Sequence, residues 1–391
     1  MTTAPPLLRL YDSSAVSLRL LDDSSVAGEY RTERGSVRIT HGVLTSGKSA
    51  GVEVCLVESG AATTVVLPGR GMGIWQITTP TTQYGWKSPV DGPVHPALVP
   101  LADPDGLGWL EGFDELVVRC GLESNGAPER AEDGTLRYPL HGRIANLPAR
   151  HLSVHVDPAS GRVELCGEIV ESKLFFKRLR LRSRAVFTAG SAAVELIDEV
   201  TNDLSTPATA QLLYHINLGS PVLAEGATVV APVQTLAPKD DHAAAEIDRW
   251  DQIGPPQSGY AERVYFAQLR SDAEGQSAAM LRGADGRSGF GVTIDTRTLP
   301  YFILWKNTAA EADGYVTGLE PATNFPNPRS QEAQQGRVVP LAAGESVTFR
   351  VGLHPLDQPE QVSEFESRIQ SIAKTGQPEI SDRPKAEWSG S

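Results

Sequence analysis

Residues 193–218 read AVELIDEVTNDLSTPATAQLLYHINL, and their rhythm decides the fold class. In Ala193–Val200 and Ala210–Leu218, aliphatic or β-branched residues tend to alternate with polar ones, as a strand with one buried face requires. The same rhythm recurs in Gly35–Ile39, Val52–Glu58, Ala62–Leu67, His151–Val156, Val163–Val170, Phe290–Asp295 and Ser346–Leu353. Turn chemistry punctuates these segments at Pro158–Gly161, Asp285–Arg287 and Ala342–Glu345. Helix signals are sparse. The clearest is Gln358–Ala373, where Val362, Phe365, Ile369 and Ile372 recur at helical spacing, predicting a helix that covers a sheet edge. The expected fold is all-β, a large two-sheet β-supersandwich with a C-terminal helix. Residues 1–375 are expected to form one domain and the polar, proline-bearing 376–391 a flexible tail.

Composition agrees with one large β-domain or two ordinary ones, and no internal repeat or linker divides the chain. Its 391 residues are 40% apolar and 21% charged, enough for a sizeable core, with 28 prolines and 37 glycines spread along the length. A formal charge of −13 argues against nucleic acid or an anionic membrane as partner. The basic run Lys173, Lys177, Arg178, Arg180, Arg182 and Arg184, interleaved with Leu174, Phe176, Leu179 and Leu181, reads as a strand with one solvated face. Cys55, Cys120 and Cys166 are too few and too scattered for a disulfide framework or a structural zinc site. The start MTTAPPLLRL has no signal-peptide pattern, and no apolar stretch reaches the roughly 18 residues of a membrane span. A cytoplasmic location is the expectation.

Two glycine motifs invite cofactor readings that their surroundings do not support. Gly42–Ser49, GVLTSGKS, has phosphate-loop spacing, but the following GVEVCLVE alternates as a strand instead of opening a helix. Gly69, Gly71 and Gly73 are spaced GxGxG, and IWQIT continues as strand. These glycines are expected to allow a tight bend or close backbone approach. No cofactor is expected.

Three segments set polar groups beside turns and aromatics in otherwise strand-like sequence: YPLHGRIANLPA (138–149), LLYHINLGSP (212–221) and YVTGLEPATNFPNPR (315–329). In these, and in GWLEGFDELVVRCGLESNGAP (108–128), the chain resembles the galactose-mutarotase-like aldose 1-epimerases, and in particular their DUF4432 branch. The resemblance spans most of residues 60–355. Arg143 replaces the second glycine expected after His141, Ile216 stands where an aromatic is usual, and 109–128 has no counterpart in ordinary mutarotases. The resemblance implies a sugar-binding isomerase that exchanges anomers, with Glu320 as general base, His215 as general acid and His141 polarising a sugar oxygen. Anomer exchange needs such a pair, each member contributing ~10²–10⁴-fold.

Around that trio, residue types that hold sugars point to further contacts. Arg143 and Asn146 follow His141; Arg70 and Trp75 flank the glycine bend; Lys306 precedes Glu320 in YFILWKN. The segment from Trp109 packs Glu111, Asp114, Arg119, Glu123 and Asn125 between aromatics, with Glu111 and Asp114 the strongest candidates for substrate contact. The trio with Glu111 or Asp114 could also chemically suit a divalent metal, but no local spacing supports one. The partner expected is a small-molecule carbohydrate, and an exposed sheet edge makes a homodimer reasonable. Two other readings share these residues: proton abstraction beside a keto-sugar carbonyl, giving epimerisation or elimination, and carbohydrate binding without turnover.

Overall fold

The computed structural model describes residues 7–9, 15–21 and 24–389. Strand rhythm becomes strand almost throughout. The elements that frame the site are, along the chain, β1 (Gly73–Thr78), β2 (Val117–Leu122), β3 (Arg162–Lys173), β4 (Lys177–Thr188), β5 (Ala208–Leu218), β6 (Val233–Pro238), β7 (Arg263–Leu269), β8 (Tyr301–Asn307), β9 (Val316–Ala322) and β10 (Ser346–Leu356), then helix α1 (Pro359–Ala373).

Two large sheets result among the described residues, of 16 and 8 strands. The larger runs β1-β2-β5-β9-β8-β7-β6 through its middle; β3, β4 and β10 belong to the smaller. One continuous core lies between them. Ile74, Leu212, Tyr214, Ile216, Leu304 and Leu319 of the large sheet meet Val163, Leu165, Leu181, Phe187, Leu196 and Val351 of the small one. A sandwich with both inner faces apolar follows from the two-residue period. Helix α1 forms where expected, but its Val362, Phe365 and Ile369 pack beside Ala278 and Met280 on the outer face of the small sheet and not along an edge. Small residues such as Gly291 leave room there for Phe365.

Arg119 crosses this core. Its guanidinium forks onto Asp198, Nε to Oδ2 at 2.5 Å and Nη2 to Oδ1 at 3.1 Å. It also donates to Met72 O, at 2.6 Å, and Ser183 Oγ, at 2.9 Å, while Tyr214 Oη donates to Asp198 Oδ2 at 2.7 Å. With every polar atom of that pair engaged, a buried ion pair can be tolerated.

Three local expectations meet their test here. Gly47–Ser49 is a short turn between two strands, Gly35–Leu44 and Glu53–Glu58, with no phosphate-loop helix. At Gly71, φ is +58° and an added Cβ would lie 2.5 Å from Ile144 O, so the bend is a close backbone approach to 144–147. The basic run does alternate along β4, but Leu174, Phe175 and Phe176 form the exposed tip of the β3–β4 hairpin instead of a strand face.

Residues 376–389, expected to be loosely held, dock on the domain. Glu379 and Ile380 pair in parallel with β6, Trp388 packs on Phe325, and Trp388 O accepts from Asn327 Nδ2 at 2.7 Å. Composition alone hid this because one buried indole anchors an otherwise polar segment. Among the described residues, no helix is long and apolar enough to cross a membrane.

Candidate active site

The site begins with a consequence of alternation. On β5, Leu212, Tyr214, Ile216 and Leu218 face the inter-sheet core, so His215 must point from the outer face. β5 pairs antiparallel with β9, and the register joining Ile216 with Leu319 sets His215 opposite Glu320. His215 Nε2 and Glu320 Oε1 are 3.3 Å apart. Gly318, two residues before Glu320, leaves room for both. A Cβ there would collide with Glu320 Oε1 and come within 3.3 Å of His215 Cε1.

Both histidines are oriented from behind. His215 Nδ1 lies 2.5 Å from Asn217 Oδ1, while Asn217 Nδ2 donates to Glu115 O at 2.9 Å and His215 O at 3.1 Å. Those two carbonyls fix the amide so that its oxygen faces the imidazole. Nδ1 therefore carries the hydrogen and Nε2 presents a lone pair to Glu320. His141 is held likewise, Nδ1 donating to Asn125 O at 2.9 Å. Its backbone sits in the left-handed region, φ +56°, where a non-glycine residue is strained. Gly142 follows because a Cβ there would strike Ser124 O and Gly121 O.

These groups lie in a cavity of about 260 Å³. Its walls are aromatic and aliphatic: Trp109, Phe113 and Trp305 with Leu107, Leu110, Leu140, Val264 and Ile303. His215 packs edge-on to Phe113 and Trp305 at ring separations of 5.0 and 5.3 Å, and His141 stands 4.6 Å from Trp109 and 5.4 Å from His215. Lys239 and Glu262 complete the lining.

Burial sets the protonation. It pushes the Glu320 carboxyl well above the usual carboxylate range, with nearby Glu262 reinforcing the shift and Lys239 opposing it. Burial, together with His141, drives His215 well below the ordinary histidine value. His141 falls to about 4, chiefly by burial. Burial thus favours the carboxylic acid form of Glu320 and the uncharged forms of both imidazoles. Glu320 Oε1 has no hydrogen-bond partner, a buried polar atom aimed into a cavity. Among the described residues, no group of three His, Cys, Asp or Glu side chains is arranged to hold a metal ion.

The trio His141, His215 and Glu320 comes together, with Trp109. The other candidates do not line the cavity. Arg70 is buried as a crosslink, donating to Glu115 Oε1 at 2.7 Å, Val94 O at 2.8 Å, Gly112 O at 2.7 Å and Asn146 Oδ1 at 3.1 Å. That engages the Asn146 amide oxygen. Trp75 lies in a separate cluster with Leu18, Leu44, Val54 and Leu67. Asp114 is buried; desolvation, reinforced by neighbouring Glu115 and opposed by Arg70, pushes its carboxyl well upward. Glu111 and Arg143 are exposed outside the cavity lining, on short turns that aim them away. Asn125 exchanges two hydrogen bonds with Asn324, at 2.9 and 2.8 Å, and contributes only its carbonyl to His141. Lys306 follows Trp305 on β8, and neighbours on a strand cannot share a face. Trp305 lines the cavity; Lys306 turns inward, donates to Arg249 O at 2.9 Å and is lowered by burial to about 8.

Lys239 and Glu262 went unnoticed in the sequence. Each sits at a strand end, after β6 and before β7, and the β6–β7 pairing that joins Pro238 with Tyr265 brings them to one wall. The signal available was polar residues flanking apolar strands.

Comparison with known proteins follows the same lines. The family model for a domain of unknown function, DUF4432, matches residues 49–354. A solved structure from Klebsiella pneumoniae, provisionally named an aldose 1-epimerase, is similar at 32% identity over 94% of each chain, with a TM-score of 0.86. A galactose mutarotase-like protein from Clostridium acetobutylicum shares 12% identity over 82% of this chain and 98% of its own, with a TM-score of 0.54. The Slr1438 protein of Synechocystis shares 13% over 76% and 93%, with a TM-score of 0.51. The last two speak for the fold alone. No curated protein matches the chain.

Proposed function

The chain belongs to the DUF4432 family, and from that premise we propose that it is a cofactor-independent isomerase exchanging the anomers of an aldose or modified sugar. The observation that carries the reading is the unpartnered Glu320 Oε1, buried 3.3 Å from His215 Nε2 at the end of an aromatic cavity. The provisional name of the similar Klebsiella pneumoniae protein supports the same reaction class. Trp109, Phe113 and Trp305 suit the C–H faces of a pyranose, and a sugar hydroxyl suits the lone carboxyl oxygen.

Ring opening removes one proton from the anomeric hydroxyl and delivers one to the ring oxygen. As C1–O5 breaks, its electron pair goes to O5 and the C1 carbonyl forms. Rotation about C1–C2 and reclosure give the other anomer. The Glu320–His215 pair holds the single proton this cycle passes on. Burial favours keeping that proton on Glu320. A substrate hydroxyl donating to Oε1 supplies the missing hydrogen bond and stabilises the carboxylate, so the proton passes to His215 Nε2. Glu320 is then the base at O1–H and His215 the acid at O5, the roles implied by the resemblance. His141, its Nε2 bare, accepts from a neighbouring hydroxyl.

The experiment is anomeric exchange measured by NMR in D2O. Acceleration with no deuterium entering C2 is the result expected. Deuterium at C2 would reveal proton abstraction beside a carbonyl and overturn the proposal.

A further inference from the structure

The cavity's one lysine is not paired from within. Burial favours the uncharged forms on the floor, and no arginine is among the lining residues. The two charged side chains on its wall differ in how they are satisfied. Glu262 Oε2 accepts from Trp305 Nε1 at 2.7 Å, which holds the carboxylate against the rim of that indole. Lys239 ties its backbone N–H to Val264 O at 3.0 Å, fixing where the side chain leaves the sheet. Among the described residues, its Nζ has no hydrogen-bond acceptor and no carboxylate at ion-pairing distance. Other enclosed lysines are provided for: Lys177 bridges Glu123 and Glu171, and Lys306 caps Arg249 O. Lys239 is also half-buried, so water compensates its ammonium only partly.

We propose that Lys239 receives a negatively charged substituent of the sugar, making the substrate class an aldose that bears one carboxylate or sulfonate group. The inference rests on the ring-opening reading. A single ammonium matches a single negative charge. Glu262 on the same wall opposes a second one, and the cavity offers none of the forked guanidinium donors that suit phosphate dianions. Lys239 already acts on the floor electrostatically, lowering both Glu320 and His141.

The test compares D-glucuronate and D-galacturonate with D-glucose and D-galactose, adding 6-deoxy-6-sulfoglucose and glucose 6-phosphate as separate arms. Wild type is expected to show kcat/KM about tenfold or more higher for the monoanions than for the neutral sugars. The advantage should sit in KM. It should collapse in Lys239→Met and return largely in Lys239→Arg. Equal KM for charged and neutral sugars, a preference for the phosphate, or an advantage that survives Lys239→Met would overturn the inference while leaving ring opening intact. If no sugar is turned over, the ring-opening proposal fails by itself. Titration calorimetry of the uronates then decides: weaker binding to Lys239→Met than to wild type supports Lys239 as the anion contact, and equal or absent binding refutes it.

Discussion

His215 Nε2 and Glu320 Oε1 stand 3.3 Å apart across the β5–β9 ladder, yet the carboxyl oxygen makes no hydrogen bond. Asn217 fixes the imidazole hydrogen on Nδ1, and burial pushes the carboxyl up and the imidazole down, favouring a neutral acid beside a neutral base over an ion pair. An ion pair at that depth would carry a large desolvation cost. A neutral pair that shares one proton stores no such cost and can form the charged arrangement when a substrate supplies the hydrogen bonds.

Glu320→Gln and His215→Asn should each lower anomer exchange by about 10²–10⁴-fold. The double variant should be little worse than either single one, because the pair works as a unit. Rate measurements on the three variants check this, and fully multiplicative losses would contradict a shared proton.

The same protonation states predict how stability depends on pH. Glu320 has a folded value raised above its unfolded 4.5, so its favourable contribution is complete below that pH and is lost as pH rises through the folded value. Glu320→Gln removes that loss and should gain thermal stability relative to wild type on going from pH 4 to pH 7. His141 behaves oppositely. Its folded value of about 4 lies below 6.5, so stability is lost as pH falls through that window. His141→Gln should therefore narrow the gap to wild type in acid. Melting curves at several pH values test both signs.

Gly318→Ala should place a methyl group against Glu320 Oε1 and displace the pair. A misplacement of about 1 Å at reacting groups costs on the order of 10²-fold in rate. Turnover should drop by that order while Trp109 and Trp305 still bind sugar. Fluorescence titration alongside kinetics separates the two effects.

Arg70→Met should destabilise the fold by about 3–5 kcal/mol, since it strands the buried Glu115 carboxylate. Chemical denaturation measures it. A fully stable variant with weakened sugar binding would instead restore Arg70 to the substrate.

The fold was legible because many strands, such as Arg162–Lys173 and Lys177–Thr188, keep the two-residue period of a face buried on one side, and His215 was legible because it breaks the apolar run of β5. What could not be read was which of two adjacent polar or aromatic residues faces the pocket. Trp305 and Lys306 differ by one position, and only the register of β8 assigns them to opposite faces. Arg70, Asp114 and Asn146 have the chemistry of sugar ligands, but Arg70 is engaged as a buried crosslink to Glu115, Asn146 and backbone carbonyls, and none of the three lines the cavity, which composition cannot reveal. Lys239 and Glu262 were missed for the converse reason. They lie 23 positions apart in the chain and share a wall through strand pairing alone.

The most direct test is saturation-transfer NMR of the anomeric protons across neutral, carboxylated and sulfonated aldoses, with wild type and Glu320→Gln. Faster exchange for at least one sugar, abolished in the variant, is the predicted result. Exchange at the buffer rate for every sugar, or equal acceleration by the variant, would contradict the account.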